Sequence, residues 1–362
     1  MKAVFRVDAS LEMGAGHVMR CLTLADELSR RGFGCVFVSR KQPGDLINTV
    51  KARGYVVHEL PTCDTPADSH LAHSHWLKGG WERDARESEA VLKKLAPDWL
   101  VVDHYGIDKN WEQQVRACVK DLLVIDDLAD REHDGNVLLD QNLGQTDEMY
   151  HPLVPADCRI LTGCHYALLR PEFAEYRERS LEYRKGKTQI DRVLVTMGGV
   201  DKDNYSGRIL SALQKSNLKQ LCRVTVVLGQ QSPWFNEVRQ QADKSVLNVD
   251  VLQGVSNMAE LMSHSDLAIG AAGSTSWERC CLGVPTINFV IADNQREASR
   301  QLVKAGAALS IEGEDTFEAS LISSLHYLCA NVDALHALSD CSAQLVDGVG
   351  VHRLCDVISK QN

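Results

Sequence analysis

The feature that most narrows the choice of folds is a repeated switch of hydrophobic period, which runs, stops once and then restarts. The first apolar run is Ala3 to Val7. The turn Gly14-Ala15-Gly16-His17 follows, and Val18, Leu22, Ala25 and Leu28 then recur at helical spacing. Arg30, Arg31 and Gly32 close that helix with cations and a glycine. Further strands are expected at Cys35–Val38, Tyr55–Leu60, Trp99–Val102 and Leu122–Ile125, with short pieces at Val137–Leu139 and Arg159–Leu161. Helices are expected at Asp45–Arg53, Trp81–Leu95 and Lys109–Lys120. A charge-rich stretch, Pro171 to Gln189, breaks the pattern and reads as a connecting helix plus linker.

Beyond it, strands are expected at Arg192–Thr196, Val224–Leu228, Val246–Val251, Leu267–Ile269 and Thr286–Val290, with helices between them. Strand, crossover helix and strand in series give parallel sheets that bind ligands at the carboxyl ends of their strands. The expected fold is α/β. Two facing Rossmann-like domains, residues 1–170 and 188–362, are joined by 171–187 and leave a cleft between them. A chain of 362 residues is ordinary for two domains.

The net charge of −10 without a basic block argues against a nucleic-acid surface. No run of about 18 apolar residues is present, so no membrane-spanning helix is expected. Arg6 and Asp8 interrupt the apolar start, which reads as a strand rather than a signal peptide, and a cytoplasmic location is expected. The 12 cysteines contain no CxxC pair and read as reduced, buried thiols.

Several segments carry chemistry. Gly14 and Gly16 permit positive φ and close approach of a ligand. His17 falls in the first helical turn, where the helix dipole favours the neutral imidazole that a general base needs; a capping role is the alternative. Asp103, His104 and Tyr105 leave a strand end and are candidates to orient water or a sugar hydroxyl, or simply to cap a turn. Asp126, Asp127 and Asp130 do not fit a calcium loop, and Asp127 is expected to hold a neighbouring loop through N–H bonds. His70, His73 and His75 read as a solvated loop rather than a metal site. Gly198-Gly199, after a strand and before a helix, has the form of an anion-binding turn. The turn Gly273-Ser274-Thr275 suits a pyrophosphate. Glu278, one helical turn on, is placed to accept both ribose hydroxyls or to satisfy the helix dipole.

Taken together, the segments GAGHVMRC (14–21), DWLVVDHYGID (98–108), IDDLADREHD (125–134), YALLRPEF (166–173) and GAAGSTSWERCCLGVP with ADNQ (within 270–295) resemble the UDP-2,4-diacetamido-2,4,6-trideoxy-β-L-altropyranose hydrolases of pseudaminic acid synthesis. The resemblance runs from Phe5 to about Leu309. It implies the GT-B architecture of related glycosyltransferases. It also implies inverting attack of water on the anomeric carbon of a UDP-sugar, with release of UDP and no metal or other cofactor. By the same resemblance His17 is the base. Gly14, Gly16, Arg20, Tyr105 and Asn294 meet the sugar, and Gly198, Gly199, Asn204, Gly273, Ser274, Thr275 and Glu278 meet UDP. Val200 departs from the small or hydroxyl residue expected after the glycine pair, and Gly135-Asn136 replaces an expected Cys-Asp. A UDP-sugar is the expected small-molecule partner, with no nucleic acid and no membrane. A monomer is expected because domain closure needs both halves free to move. A GT-B glycosyltransferase and a hydrolysing UDP-hexosamine epimerase are the competing enzymes, and a nucleotide-sugar sensor is the competing non-enzyme.

Overall fold

In the computed structural model, residues 1–63, 71–218, 221–230, 232–313 and 316–360 are described. The chain divides into two units, Met1–Leu168 with Gly350–Asn362, and Leu169–Val349.

The first unit is built on seven parallel strands: β1 (Lys2–Val7), β2 (Gly34–Arg40), β3 (Val56–Leu60), β4 (Trp99–Asp103), β5 (Asp121–Ile125), β6 (Val137–Asp140) and β7 (Arg159–Thr162). Their order is β3-β2-β1-β4-β5-β6-β7. The order reverses between β1 and β4, so the carboxyl ends of these two strands flank the switch point where open α/β sheets bind ligands. Helices cover both faces, which is why β4 is buried along its whole length. In β1, Ala3, Phe5 and Val7 pack with Leu22 and Leu28 of α1 (Gly16–Arg30), while Val4 packs on the other face with Leu92, Leu100 and Trp111. Arg6 breaks the apolar run, yet it is only 1% exposed. Its guanidinium donates to Asp8 at 2.7 Å and Asp84 at 2.6 Å, and Arg40 and the Trp111 indole also donate to Asp84. Paired and hydrogen-bonded in this way, the buried charges are tolerated.

The second unit has six parallel strands: β8 (Arg192–Thr196), β9 (Arg223–Leu228), β10 (Asn248–Gln253), β11 (Leu267–Ala271), β12 (Thr286–Phe289) and β13 (Leu309–Ile311). Their order is β10-β9-β8-β11-β12-β13, with the reversal between β8 and β11.

Three expectations are corrected. The C-terminal unit does not run to residue 362. The helix Gly350–Lys360 buries Val351, Leu354, Cys355 and Ile358 in the core of the first unit, beside Leu22 and Leu168. A Cβ on Gly350 would lie 2.5 Å from the Ala167 carbonyl oxygen, so the close approach that starts this helix needs glycine. The stretch 171–187 is not a free linker. The helix Pro171–Arg184 is fastened to the second unit by polar anchors: Arg177 donates to Ala343 and Val346 carbonyls, Ser180 to Leu282, and Arg184 to Met262, Ser263 and Ser265. Finally, the helix expected to reach Lys120 ends at Val115 and passes into a 3₁₀ turn at Arg116–Cys118.

Candidate functional site

At the switch point of the first unit, β1 leads into a tight loop. The Gly14 N–H donates to the Ser10 carbonyl at 2.8 Å, and Gly14 takes φ +77°, a value that side chains resist. Gly16 is the first helical residue of α1 and does not share that positive φ. The N-terminus of α1 has no side-chain cap. His17 lies in its first turn, 7% exposed.

The last residue of β4, Asp103, is fully buried and aimed at this turn. One carboxylate oxygen lies 2.7 Å from His17 Nδ1. The two oxygens also accept from Arg20 Nε and Nη2, each at 2.7 Å. Burial opposes ionisation of the Asp103 carboxyl, but the Arg20 guanidinium and the hydrogen bonds from Arg20 and His17 hold it well below the usual carboxylate range. An ionised carboxylate has no proton to give, so Nδ1 carries the hydrogen and donates it. Nε2 of the neutral ring is then left with its lone pair.

Tyr105 places its ring edge-on to His17, with centroids 4.6 Å apart, and stacks on Trp76 at 5.5 Å. Trp76 belongs to the 3₁₀ turn Ser74–Trp76, and His73 packs on it with ring centroids 4.5 Å apart. His73 and Trp76 therefore form an aromatic wall beside His17, while His75 is exposed as expected of a solvated loop; His70 lies outside the described residues. His104 is buried and accepts from the Gly106 N–H, a turn-forming role. Asp126, not Asp127, holds the following loop, accepting from Leu128 and Ala129 N–H groups. Arg20, expected to meet the sugar, commits three of its five N–H groups to Asp103 and Asp127 and makes a further ion-pair contact with Asp127.

In the second unit, two turns follow the strands that flank its switch point. After β8, Gly198 takes φ +91°, and the Gly198 and Gly199 N–H groups have no hydrogen bond among the described residues. The helix beyond, Tyr205–Gln214, does not offer its N-terminus to an anion. Asp201 accepts from Tyr205 and Ser206 N–H groups at 2.8 and 2.9 Å, and Asn204 accepts from Gly207. Asn204 is thus the N-cap, with its amide nitrogen on Glu237, and its side chain is spent within the protein.

After β11 the arrangement is the opposite. The helix Thr275–Cys281 starts at Ser274 with no side-chain cap. The buried Arg279 braces the turn from behind, donating to the Ala271 carbonyl, Thr275 Oγ1, Ser276 Oγ and Asn288 Oδ1. Gly270 makes room for it, since a Cβ there would lie 2.6 Å from Arg279 Nη1. Desolvation lowers the Arg279 pKa to about 10. The Glu278 side chain is 19% exposed, and one oxygen lies 3.8 Å from Arg170 Nη2. Burial pushes its pKa up to about 7. It takes no hydrogen bond among the described residues and is available to a ligand. Asn294 lies in the 3₁₀ turn Asp293–Gln295, and its side chain lies outside the description. No cluster of metal-ligating side chains occurs among the described residues, and no described helix is long and apolar enough to cross a membrane.

Both units, with their parallel sheets, define a GT-B protein. The Acinetobacter baumannii MurG structure aligns over 99% of each chain at TM-score 0.70 and 17% identity. A Neisseria meningitidis UDP-GlcNAc 2-epimerase covers 99% of this chain and 100% of its own at 0.64 and 13%. Residues 192–351 match the glycosyltransferase family 28 C-terminal domain. The chain is a relative of the UDP-2,4-diacetamido-2,4,6-trideoxy-β-L-altropyranose hydrolase of Campylobacter jejuni, 28% identical over 84% of this chain and 97% of the hydrolase. It is also 26% identical to an uncharacterized protein of Methanocaldococcus jannaschii over 84% of this chain, a match spanning 58% of that longer relative.

Proposed function

We propose that the protein hydrolyses a UDP-linked diacetamido-trideoxy sugar at its anomeric carbon, with inversion. The observation that carries this reading is the His17–Asp103 pair, which leaves Nε2 as a lone-pair base at the sheet's switch point. In the proposed step Nε2 takes a proton from water while the water oxygen bonds to the anomeric carbon. The bond from that carbon to the diphosphate oxygen breaks on the opposite face, and its electron pair leaves with UDP. Asp103 stabilises the imidazolium that forms.

On the nucleotide side, the uncapped turn Gly273-Ser274-Thr275 is the proposed diphosphate site, with Gly198 and Gly199 N–H groups as further donors. Glu278 is proposed for the ribose hydroxyls. Tyr105, Asn294 and the Gly14–Gly16 turn are proposed for the sugar. The proposed mechanism routes no step through a metal. Asp126 and Asp127 are engaged with Arg131, Tyr150, Arg20 and Tyr105. The kinship with the Campylobacter hydrolase supports the choice of substrate class and the pseudaminic acid pathway.

Replacing His17 tests the reading. H17Q is expected to lose turnover by about 10² to 10⁴ while UDP affinity is retained. An H17Q protein that turns over at the wild-type rate removes His17 from the role of base.

A further inference from the structure

We infer that Asp127 is a positioning residue for this hydrolysis, holding Arg20 and Tyr105 in one arrangement beside His17 and making the Tyr105 hydroxyl an acceptor for a donor group of the sugar. The inference rests on the functional reading above.

Both carboxylate oxygens of Asp127 are doubly engaged within the protein. Oδ1 accepts from Arg20 Nη1 at 3.0 Å and Asn142 Nδ2 at 2.8 Å. Oδ2 accepts from the Tyr105 hydroxyl at 2.6 Å and forms an ion pair with Arg20 Nη2 at 2.7 Å. These three hydrogen bonds and the ion pair engage both oxygens of the carboxylate. Asp127 is therefore spent on orienting others rather than on substrate. Through Arg20 it is joined to Asp103, and through Asp103 to His17.

The consequence for Tyr105 is chemical. A phenol has one proton, and here Asp127 takes it. The Tyr105 pKa is raised well above its ordinary value, chiefly by burial and then by Asp127, so the proton stays. Only oxygen lone pairs remain, and a sugar group that reaches this oxygen must bring an O–H or N–H. Hydroxyls and the N–H of an acetamido group qualify. An ether or a carbonyl oxygen does not, because it leaves two acceptors facing each other.

Asp127 is itself fixed from behind. Asn142 Nδ2 bridges Asp127 Oδ1 and Asp140 Oδ1, at 2.8 Å each. The other Asp140 oxygen lies 2.7 Å from the Tyr150 hydroxyl, which lies 3.0 Å from Asp126. One hydroxyl proton shared between two carboxylates favours protonation of one of them. Asp140 is that group: burial, and then the charge of Asp127, push it up to about 8. Asn142 thus bridges to a neutral neighbour and not to a second negative charge.

The test compares wild type, D127N, N142A, Y105F and D127N/Y105F in steady-state turnover of the UDP-diacetamido sugar, with UDP affinity measured by calorimetry. D127N is expected to lower kcat/KM by about 100-fold, the loss typical of a misplaced reacting group, with UDP affinity within about twofold of wild type. Y105F added to D127N is expected to lower kcat/KM little further, because the two act as a unit. Folded D127N with wild-type kcat/KM, equal loss of UDP affinity, or full additivity with Y105F each overturns the inference. Should D127N fail to fold, N142A decides: a loss of about tenfold with a normal melting curve supports the inference, and unchanged turnover overturns it. Wild-type protein inert on every UDP-sugar refutes instead the functional reading beneath it.

Discussion

Asp103→Asn is the perturbation whose outcome follows most directly from the geometry. The carboxylate is fully buried and accepts three short bonds, from His17 Nδ1 and from Arg20 Nε and Nη2, each at 2.7 Å. An asparagine has one acceptor oxygen and one NH₂ in the same space. If the oxygen stays with Arg20 Nε, the NH₂ faces His17 and Arg20 Nη2. Nδ1 must then become the acceptor, the ring proton moves to Nε2, and the base is lost. In a comparable carboxylate–histidine pair this tautomer error costs about 10⁴ in kcat, which is about 5.4 kcal/mol of transition-state free energy at 1.36 kcal/mol per tenfold.

Stability falls as well. Breaking a buried pair costs about 3–5 kcal/mol, and the low end applies because Asp127 still pairs with Arg20 at 2.7 Å. At about 2–4 °C per kcal/mol for a unit of this size, D103N should melt about 6–12 °C lower. The sign of the pH effect follows from the depressed Asp103 pKa. Its contribution to stability is present above the unfolded carboxyl value, about 3.9, and is lost as pH falls below it towards the folded value. The melting difference between wild type and D103N should therefore narrow in acid. The assay is continuous UDP release alongside thermal melts at several pH values. A folded D103N enzyme with kcat within about tenfold of wild type contradicts the tautomer argument.

Other outcomes follow from the same structure. Glu278, held at about 7 by burial, is ionised above that pH and then accepts two ribose hydroxyls, so UDP should bind about tenfold tighter at pH 8 than at pH 6, by calorimetry. E278Q should bind more weakly and flatten that dependence. Its sign in the free protein is reversed: the raised carboxyl costs stability as pH rises from about 4.3 through 7, so E278Q should melt higher than wild type at pH 8 and equally at pH 4. L354A, at a fully buried site in the C-terminal helix, should cost about 2–5 kcal/mol and lower the melting transition of the first unit. G270A should displace Arg279 and weaken UDP binding more than uridine binding, measured by the same calorimetry.

The strands were legible because both faces of a parallel sheet are covered, so β4, β8 and β11 read as apolar runs and β1 as one interrupted only by Arg6. The place of His17 in the first helical turn was legible for the same reason, from β1, a glycine turn and an amphipathic helix, whereas the switch point there needed the strand order. What escaped the sequence was held by polar contacts or by distance along the chain. The helix Pro171–Arg184 carries no apolar stripe, because Arg177, Ser180 and Arg184 fasten it through backbone carbonyls. The C-terminal helix did carry a stripe, at 351, 354, 355 and 358, which signals a packed helix but not the unit it packs on. An aspartate at a strand end can hold a turn or pair with a histidine, so Asp103, which pairs with His17, was indistinguishable from Asp126, which holds the loop after β5. Arg20 and Asn204 were expected to meet the ligand, and only the structure shows that their polar groups are engaged within the protein. Trp76 had no signal beyond membership of a long loop.

The central claim is tested most directly by incubating the protein with the UDP-diacetamido-trideoxy sugar, with and without EDTA and with no acceptor, and following the anomeric signals by NMR. Release of UDP and free sugar in equal amounts, first with inverted anomeric configuration and at the same rate in EDTA, is the predicted result. Release of UDP only after an acceptor is added, or first formation of the retained anomer, contradicts water attack assisted by His17.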